Sequence, residues 1–228
     1  MPQDKPRIVV LISGSGSNLQ AIIDATRLSD TADKYIPASI IAVISNRPNA
    51  YGLKRAARAG IETQVVDHTA FKGREAFDQQ LATVIDSYQP DFIILAGFMR
   101  ILTADFVNRF LGRLINIHPS LLPKYPGLNT HQRAIDAGDK IHGASVHFVT
   151  PELDAGPVII QGFIDTRAGE SAEDLANRVL LIEHQIYPLA TKMLAQGMFA
   201  LIDGLTVMKN EPLPPHGYLI DYNSTAKY

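Results

Sequence analysis

The sequence predicts an α/β fold in which helices cover both faces of a mostly parallel, twisted sheet. Two observations predict it: short runs rich in Val and Ile recur through the first half of the chain, and helical patterns separate them. Such alternation is typical of crossovers between parallel strands. After Pro119 the pattern changes, and further strand-like runs indicate that mixed strands extend the sheet in the carboxy-terminal half.

The short apolar runs of the first half are each the right length for a strand that is buried on both faces. They occupy residues 8–12, 40–44, 65–66, 92–95 and 114–117. The clearest helix spans residues 74–88, because its apolar side chains recur every three or four positions and therefore share one face.

In the second half, strands are expected at residues 144–149 and 158–164. A long helix follows, opened by Ser171 as a capping residue. Pro188 is expected to kink or end this helix, because proline has no amide hydrogen to donate. The tail that begins at Gly204 is rich in proline and is expected to be a partly irregular appendage.

Composition excludes several classes of protein. The 228 residues carry 21 Lys plus Arg against 23 Asp plus Glu, so bulk charge does not favour nucleic acid or an anionic membrane as a partner. The absence of cysteine excludes disulfides, thiolate metal sites and a cysteine nucleophile. The first apolar run is too short for a signal peptide or a membrane span. We therefore expect a cytoplasmic protein.

A glycine-rich loop, residues 13–18, joins the first strand to a helix. Glycines allow the backbone to approach an anion, and free amides at a helix start point towards it, so the favoured ligand is a phosphate. The alternative is a tight turn in which Ser17 or Asn18 caps the helix. Leu19 replaces the third glycine of a dinucleotide fingerprint, and Arg47 follows the second strand in place of an acid. We therefore expect no nicotinamide or flavin cofactor.

Two further loops should lie at the same edge of the sheet, since parallel strands end there together. One is the apolar segment 96–102, and the other carries Asn116 and His118. These two residues have the same parity, so their side chains leave one face of the strand and could hold a carbonyl oxygen that gains charge. Taken alone, His118 could be structural, and Asp154 could be a turn residue before Gly156.

The other histidines show no pattern typical of metal ligands. His142 and His147 are five positions apart, which puts them on opposite faces of a strand. The spacings of the rest favour surface or core positions; they are His68, His131, His184 and His216. We therefore expect no metal.

Several segments resemble the formyltetrahydrofolate-dependent formyltransferases. NIHPSLLPKYPG at 116–127 and HGASVHFVTPELDAGPVI at 142–159 are similar to the two halves of that family's signature. SGSGSNLQAI at 13–22 and LAGFMRIL at 95–102 resemble the members that formylate glycinamide ribonucleotide. The resemblance extends from Ile8 to the LPPHGY segment at 213–218.

The resemblance implies transfer of a formyl group from 10-formyltetrahydrofolate, a co-substrate, to the amine of glycinamide ribonucleotide. Both partners would be small molecules, and the oligomeric state is left open between monomer and homodimer. It also implies one formyltransferase domain over residues 1–228: a Rossmann-like half that binds the ribonucleotide phosphate (1–115), a catalytic and folate-binding half (116–204), and an appendage (205–228).

The family's functional residues carry over by position. The implied catalytic trio is Asn116, His118 and Asp154. The implied ribonucleotide site holds the phosphate with Gly16, Ser17 and Asn18 and the ribose with Glu183. The implied folate site comprises Arg74, Met99, Arg100, Ile101, Leu102 and Asn116. Departures from the family's usual residues stand at Ser15, Pro151, Ala155 and Leu180.

In the implied mechanism, Asn116 and His118 stabilise the tetrahedral oxyanion, while Asp154 pairs with His118 and favours its protonated form. The proton carrier is left open between His118, Asp154 and a water. A methionyl-tRNA formyltransferase would need a basic carboxy-terminal module, yet the segment after Gly204 carries only two basic residues, Lys209 and Lys227. A formyltetrahydrofolate hydrolase would carry a module ahead of the first strand. A non-catalytic binding module would not need the trio.

Overall fold

The structure is a computed structural model that describes residues 5–223, so Lys227 lies outside the described residues. Its strands are β1 (Arg7–Ile12), β2 (Ser39–Ser45), β3 (Glu62–Val65), β4 (Phe92–Leu95), β5 (Leu114–His118), β6 (Ile141–Phe148), β7 (Val158–Asp165), β8 (Phe199–Ile202), β9 (Leu205–Met208), β10 (Glu211–Pro212) and β11 (Tyr218–Asp221). Its helices are α1 (Ser17–Thr26), α2 (Tyr51–Arg58), α3 (Arg74–Ser87), α4 (Ala104–Arg109), α5 (Thr130–Asp136) and α6 (Ala172–Ala195), with a 3₁₀ turn at His68–Ala70.

Eight of these strands form one sheet, in the order β11-β7-β6-β5-β4-β1-β2-β3. Within the part of this order that runs β5-β4-β1-β2-β3, each strand is parallel to the next. β6 runs antiparallel to both β5 and β7, and β11 returns parallel to β7. The predicted fold class, a mostly parallel sheet extended by mixed strands in the second half, is confirmed.

Helices pack on both faces of this sheet, and the alternation along β1 shows why. Ile8, Val10 and Ile12 belong to one apolar core, which also contains the inner stripes of α1 and α6. Val9 and Leu11 belong to the other core, which contains those of α3 and α4. Successive side chains of a strand point to opposite faces, so a run of consecutive apolar residues serves both layers.

The strand order reverses direction beside β1. β2 and β3 lie on one side of it, whereas β4 and β5 lie on the other. The loops after β1 and β4 therefore diverge and leave a crevice at the carboxyl ends of the strands, the usual place for ligands in such sheets. The glycine loop, which follows β1, and the apolar loop, which follows β4, therefore border the same crevice.

Pro188 was expected to kink or end the long helix, and the second alternative is wrong, because α6 continues to Ala195. A proline inside a helix removes one hydrogen bond and costs roughly 3 kcal/mol. Here Pro188 is buried together with Ile186, Tyr187 and Ala190, and the packing of that stripe against the sheet offsets the loss.

The tail and the third strand also differ from the expectation. Beyond Gly204, β9 pairs with β8 on one side and with β10 on the other in a separate three-stranded sheet, and β11 extends the main sheet, so the tail is more regular than expected. Its prolines had indicated irregular structure, but Pro212 lies in an edge strand, where proline is tolerated. β3 covers Glu62–Val65 rather than 65–66, since most of this edge strand is polar and exposed.

Candidate active site

Asn116 and His118 lie at the end of β5, and the antiparallel strand β6 supplies their neighbours. In the register of these two strands, Asn116 pairs with His147 and His118 pairs with Ser145. Because cross-strand partners share a face, these four polar side chains lie together on one side of the sheet. All but Asn116 are buried, and Asn116 is partly buried.

Asp154 joins this group from the loop between β6 and β7. Its backbone is in the left-handed region, with φ of 51°, as expected of an aspartate in a turn. Its Oδ2 atom accepts a hydrogen bond from the Gly127 amide at 2.8 Å and lies 3.5 Å from Nδ1 of His118. Its Oδ1 atom lies 3.9 Å from Nε2 of His147. Asp154 therefore lies in a turn and also faces both imidazole rings.

His118 is held at both ring nitrogens. Its Nε2 atom lies 2.8 Å from the carbonyl oxygen of Tyr125, and a carbonyl can only accept, so Nε2 carries a hydrogen. Nδ1 is the nitrogen that faces Asp154. The imidazole is thus fixed between a backbone carbonyl and a carboxylate.

The loop that presents the Tyr125 carbonyl is anchored to the sheet by buried polar side chains. Ser120 donates to the Lys124 carbonyl at 2.6 Å, and Ser145 donates to the Ser120 carbonyl at 2.6 Å. Gln161 donates to the Leu122 carbonyl at 2.7 Å. This network holds the loop in the conformation that fixes His118.

His147 belongs to the site, although the sequence analysis assigned it no function. Its Nδ1 atom donates to the Phe148 carbonyl at 2.8 Å, which leaves Nε2 to accept from Nδ2 of Asn116 at 3.3 Å. Burial lowers the pKa of His147 to about 4, so the ring is neutral near pH 7. The missing signal was the register of β5 against β6, which single-strand periodicity does not contain.

Beside the cluster lies a cavity of about 100 Å³ whose walls include Asn116, His147 and Asp154. Four of the six residues predicted to bind folate line it, namely Asn116 itself and Arg100, Ile101 and Leu102. The Nε atom of Arg100 is buried there without a hydrogen-bond partner within residues 5–223.

The other two predicted folate residues do not line this cavity. Arg74 is exposed at the start of α3, and Met99 is 59% exposed at the outer side of the loop after β4. Pro151, one of the departures from the family pattern, does line the cavity.

The glycine loop leads directly into α1, with Gly16 as the residue before the helix at φ of 71°. No side chain caps this helix, so the interpretation of Ser17 or Asn18 as a cap is wrong. Asn18 instead donates from Nδ2 to Oε2 of Glu183 at 2.7 Å. The structure therefore brings together two residues predicted to bind the ribonucleotide, which lie far apart in the sequence.

Asn18 and Glu183 are both buried. Burial raises the pKa of the Glu183 carboxyl, and the bond from Asn18 acts in the opposite direction. Oδ1 of Asn18 has no hydrogen-bond partner among residues 5–223. The pair thus offers an acceptor and a carboxyl group to hydroxyls of a ligand.

A second cavity, of about 580 Å³, lies between α1 and α6 and is bordered by Ser17, Arg55 and His184. It touches the glycine loop at Ser17, but its walls include none of Asn116, His118 and Asp154. Within residues 5–223 there is no group of three or more His, Cys, Asp or Glu side chains placed to hold a metal ion. In the same range no helix is long and apolar enough to cross a membrane.

A mostly parallel α/β sheet with a glycine loop, an anchored imidazole and a cavity at one edge is typical of an enzyme that binds small molecules. Residues 6–191 match the family described as formyl transferase, and the chain belongs to this family.

Individual relatives show which member of the family this chain is similar to. The chain is 51% identical to phosphoribosylglycinamide formyltransferase of Escherichia coli K12 over 94% of its own length and 99% of the relative's. It is 44% identical to a trifunctional purine biosynthetic protein of Homo sapiens, over 86% of this chain and 19% of that protein. A solved phosphoribosylglycinamide formyltransferase from Coxiella burnetii shares 47% identity, with a TM-score of 0.89, over 95% of this chain and 100% of that one.

Proposed function

We propose that this chain transfers the formyl group of 10-formyltetrahydrofolate to the amine of N1-(5-phosphoribosyl)glycinamide, a step of purine biosynthesis. The observation that carries the proposal is the cluster of Asn116, His118 and Asp154 beside a cavity whose wall is the loop after β4. Similarity along almost the full length to the Escherichia coli enzyme supports the same substrates.

The ribonucleotide occupies the side of the crevice next to α1. The amides at the start of α1 and the Ser17 hydroxyl hold its phosphate, because a helix start without a side-chain cap presents free donors to an anion. The ribose hydroxyls bond to Glu183 and to the unpartnered Oδ1 of Asn18. Gly16 contributes by keeping the loop close to the backbone of α2.

The reduced folate occupies the cavity beside the trio. Arg100, Ile101 and Leu102 supply an apolar wall with one cation. Arg74 and Met99, which are exposed outside the cavity, contact the outer part of the molecule. Asn116 reaches both substrates because it lies at the end of β5, beside the cavity. Placing the two substrates in attacking geometry supplies up to about 7–11 kcal/mol in the best cases.

The chemistry is acyl transfer. The neutral amine attacks the formyl carbon, so a new C–N bond forms and the carbonyl oxygen gains a negative charge. The bond from that carbon to the folate nitrogen then breaks, and the proton lost by the amine ends on that nitrogen. His147 accepts one hydrogen of the Asn116 amide, so the second hydrogen is free to donate to the oxyanion.

His118 stabilises the oxyanion by its positive charge when it is protonated, and Asp154, whose Oδ2 atom lies 3.5 Å from Nδ1, stabilises that charge. The proton passes through His118, Asp154 or a water between them. Neither a metal nor a nicotinamide or flavin cofactor enters these steps. The cytoplasmic location and the division into three segments stay predictions.

The test is an assay with the purified protein, glycinamide ribonucleotide and 10-formyltetrahydrofolate, in which both deformylated folate and formylated ribonucleotide are quantified. We expect equal amounts of the two products, and no folate turnover with water or methionyl-tRNA alone. Asn116→Ala should lower turnover by about 10²–10³-fold, the cost of losing an oxyanion donor. Asn108→Ala on α4, an exposed amide, is the matched control and should be unchanged.

Deformylation without the ribonucleotide would favour a hydrolase instead. Folate binding with no turnover at all would favour a non-catalytic module.

A further inference from the structure

Ser13 directly follows β1 and connects the glycine loop to the loop after β4, the loops of the two proposed substrate sites. Its amide donates to the Gly97 carbonyl at 3.2 Å, and its Oγ atom accepts from the Met99 amide at 2.7 Å. The residue is 3% exposed. Ser13 is also the first residue of the glycine loop, so one side chain fixes the start of one loop to the middle of the other.

Asn46, at the end of β2, holds the Ser13 hydroxyl in place. The hydroxyl donates to Oδ1 of Asn46 at 2.6 Å, since its lone pair already accepts from Met99. Asn46 is buried as well, and Nδ1 of His68 lies 2.8 Å from its carbonyl oxygen. A chain of hydrogen bonds therefore runs from Asn46, which follows β2, through Ser13 to the loop after β4.

The far end of that loop is fixed in the same way. The Thr103 amide donates to Oδ2 of Asp78 at 2.6 Å, and Asp78 is 2% exposed on α3. Between these two attachments lie Arg100 and Ile101, which line the cavity beside the trio. The segment that walls the cavity is thus held at two points by buried side chains outside it.

We propose that Ser13, supported by Asn46, is a positioning residue. It fixes the position of the Met99 backbone and thereby of the loop after β4, residues 96–102, which we call the folate-binding loop. The inference rests on the proposed function for the identity of the ligand. Removing the hydroxyl leaves the partly buried Met99 amide without its acceptor and the buried Oδ1 of Asn46 without its donor, so the loop shifts to satisfy them. The bond from the Ser13 amide to the Gly97 carbonyl remains, so the start of the loop after β4 stays attached to the glycine loop.

The experiment compares Ser13→Ala with wild type by calorimetric binding of tetrahydrofolate and of glycinamide ribonucleotide. We expect the dissociation constant for tetrahydrofolate to rise about tenfold, equivalent to the loss of one good hydrogen bond, while that for the ribonucleotide changes less than about twofold. Hydrogen exchange at the Met99 amide should accelerate by at least about tenfold, because its acceptor is gone.

Ser45→Ala is the matched control. Ser45 is equally buried at the end of β2, but its hydroxyl donates to the Arg47 carbonyl and not to the folate-binding loop. It should leave both binding constants and the Met99 exchange rate unchanged. Asn46→Ala should reproduce the Ser13→Ala pattern, and the double variant should add little to either single one.

Unchanged Met99 exchange in Ser13→Ala would overturn the inference, whatever the activity. Equal weakening of both ligands, shared by Ser45→Ala, would also overturn it, because a general loss of stability would then explain the result. A wild type that fails to transfer formyl groups contradicts the proposed function instead, and Met99 exchange still reports on Ser13 in that case.

Discussion

The side-chain amide of Asn116 donates to Nε2 of His147, its partner across β5 and β6, at 3.3 Å. The Phe148 carbonyl accepts a hydrogen bond from Nδ1 of the same ring, so the neutral imidazole presents only an acceptor, Nε2, to Asn116. The Asn116 amide is thereby oriented before any ligand binds. Such preorganisation is what an oxyanion donor needs, because it need not reorganise during the reaction.

Replacing His147 with Phe keeps the ring shape but removes this acceptor. We expect kcat to fall by roughly tenfold, less than the 10²–10³ that loss of an oxyanion donor costs, with little change in KM. His147→Gln, whose amide oxygen can still accept from Asn116, should retain more activity. His216→Gln, at an exposed position, is the control. Full activity in His147→Phe would show that Asn116 needs no such support.

Stability should depend on pH through His147. Burial lowers its pKa from 6.5 to about 4 in the folded protein, so between these values the unfolded chain binds a proton that the folded chain does not. Stability should therefore fall as pH decreases from 6.5 towards 4 and level off below. Its neighbours Asp154 and His118 face the same ring.

His142 contributes in the same direction, since burial also lowers its pKa to about 4. Urea unfolding of wild type and His147→Gln across this range tests the prediction. The variant should show a shallower slope, and an identical slope would contradict the assignment of the neutral buried ring.

Asp154→Asn should separate the two functions of this residue. Asn tolerates the left-handed backbone and still accepts from the Gly127 amide, so the fold should persist. The negative charge opposite Nδ1 of His118 is lost, and turnover should fall by about 10²–10⁴-fold, the range for a positioned acid–base group. Adding His118→Asn should cost much less than the product of the single effects. A folded variant with near-normal turnover would leave Asp154 only as a turn residue.

Gly16→Ala should destabilise the protein rather than act on phosphate binding alone. A Cβ atom at Gly16 would lie 2.6 Å from Cα of Gly52, and its φ of +71° disfavours any side chain by roughly 1–2 kcal/mol. We therefore expect a lower urea midpoint and weaker binding of both substrates. Gly14→Ala, with nothing within 4 Å of its Cβ, should keep the midpoint of wild type. Selective loss of ribonucleotide affinity in a fully stable Gly16→Ala would contradict this.

The sequence predicted the parts of the fold that local patterns specify. β4 matches the predicted strand, and α3 follows its apolar stripe to within a residue, because each buries a pattern of its own period. The glycine loop and the Asn116–His118 parity were predicted for the same reason. β11 was missed, since the proline-rich tail hides a short strand whose pairing with β7 is a long-range contact.

The site was predicted only as far as single segments allow. The bond between Asn18 and Glu183 depends on how α6 packs against α1, and the position of His147 depends on the register of β6. Neither can be derived from residue spacing, because both are set by tertiary packing. Resemblance to the family supplied Glu183, but no local pattern indicated His147.

The most direct measurement is a single-turnover reaction with 10-formyltetrahydrofolate labelled at the formyl carbon and glycinamide ribonucleotide in excess. We predict that the label appears in formylated ribonucleotide in an amount equal to that of the enzyme-bound folate. We also predict that His118→Asn and Asp154→Asn slow this step while both ligands still bind. Release of the label as formate, or transfer at an unchanged rate in both variants, would contradict these predictions.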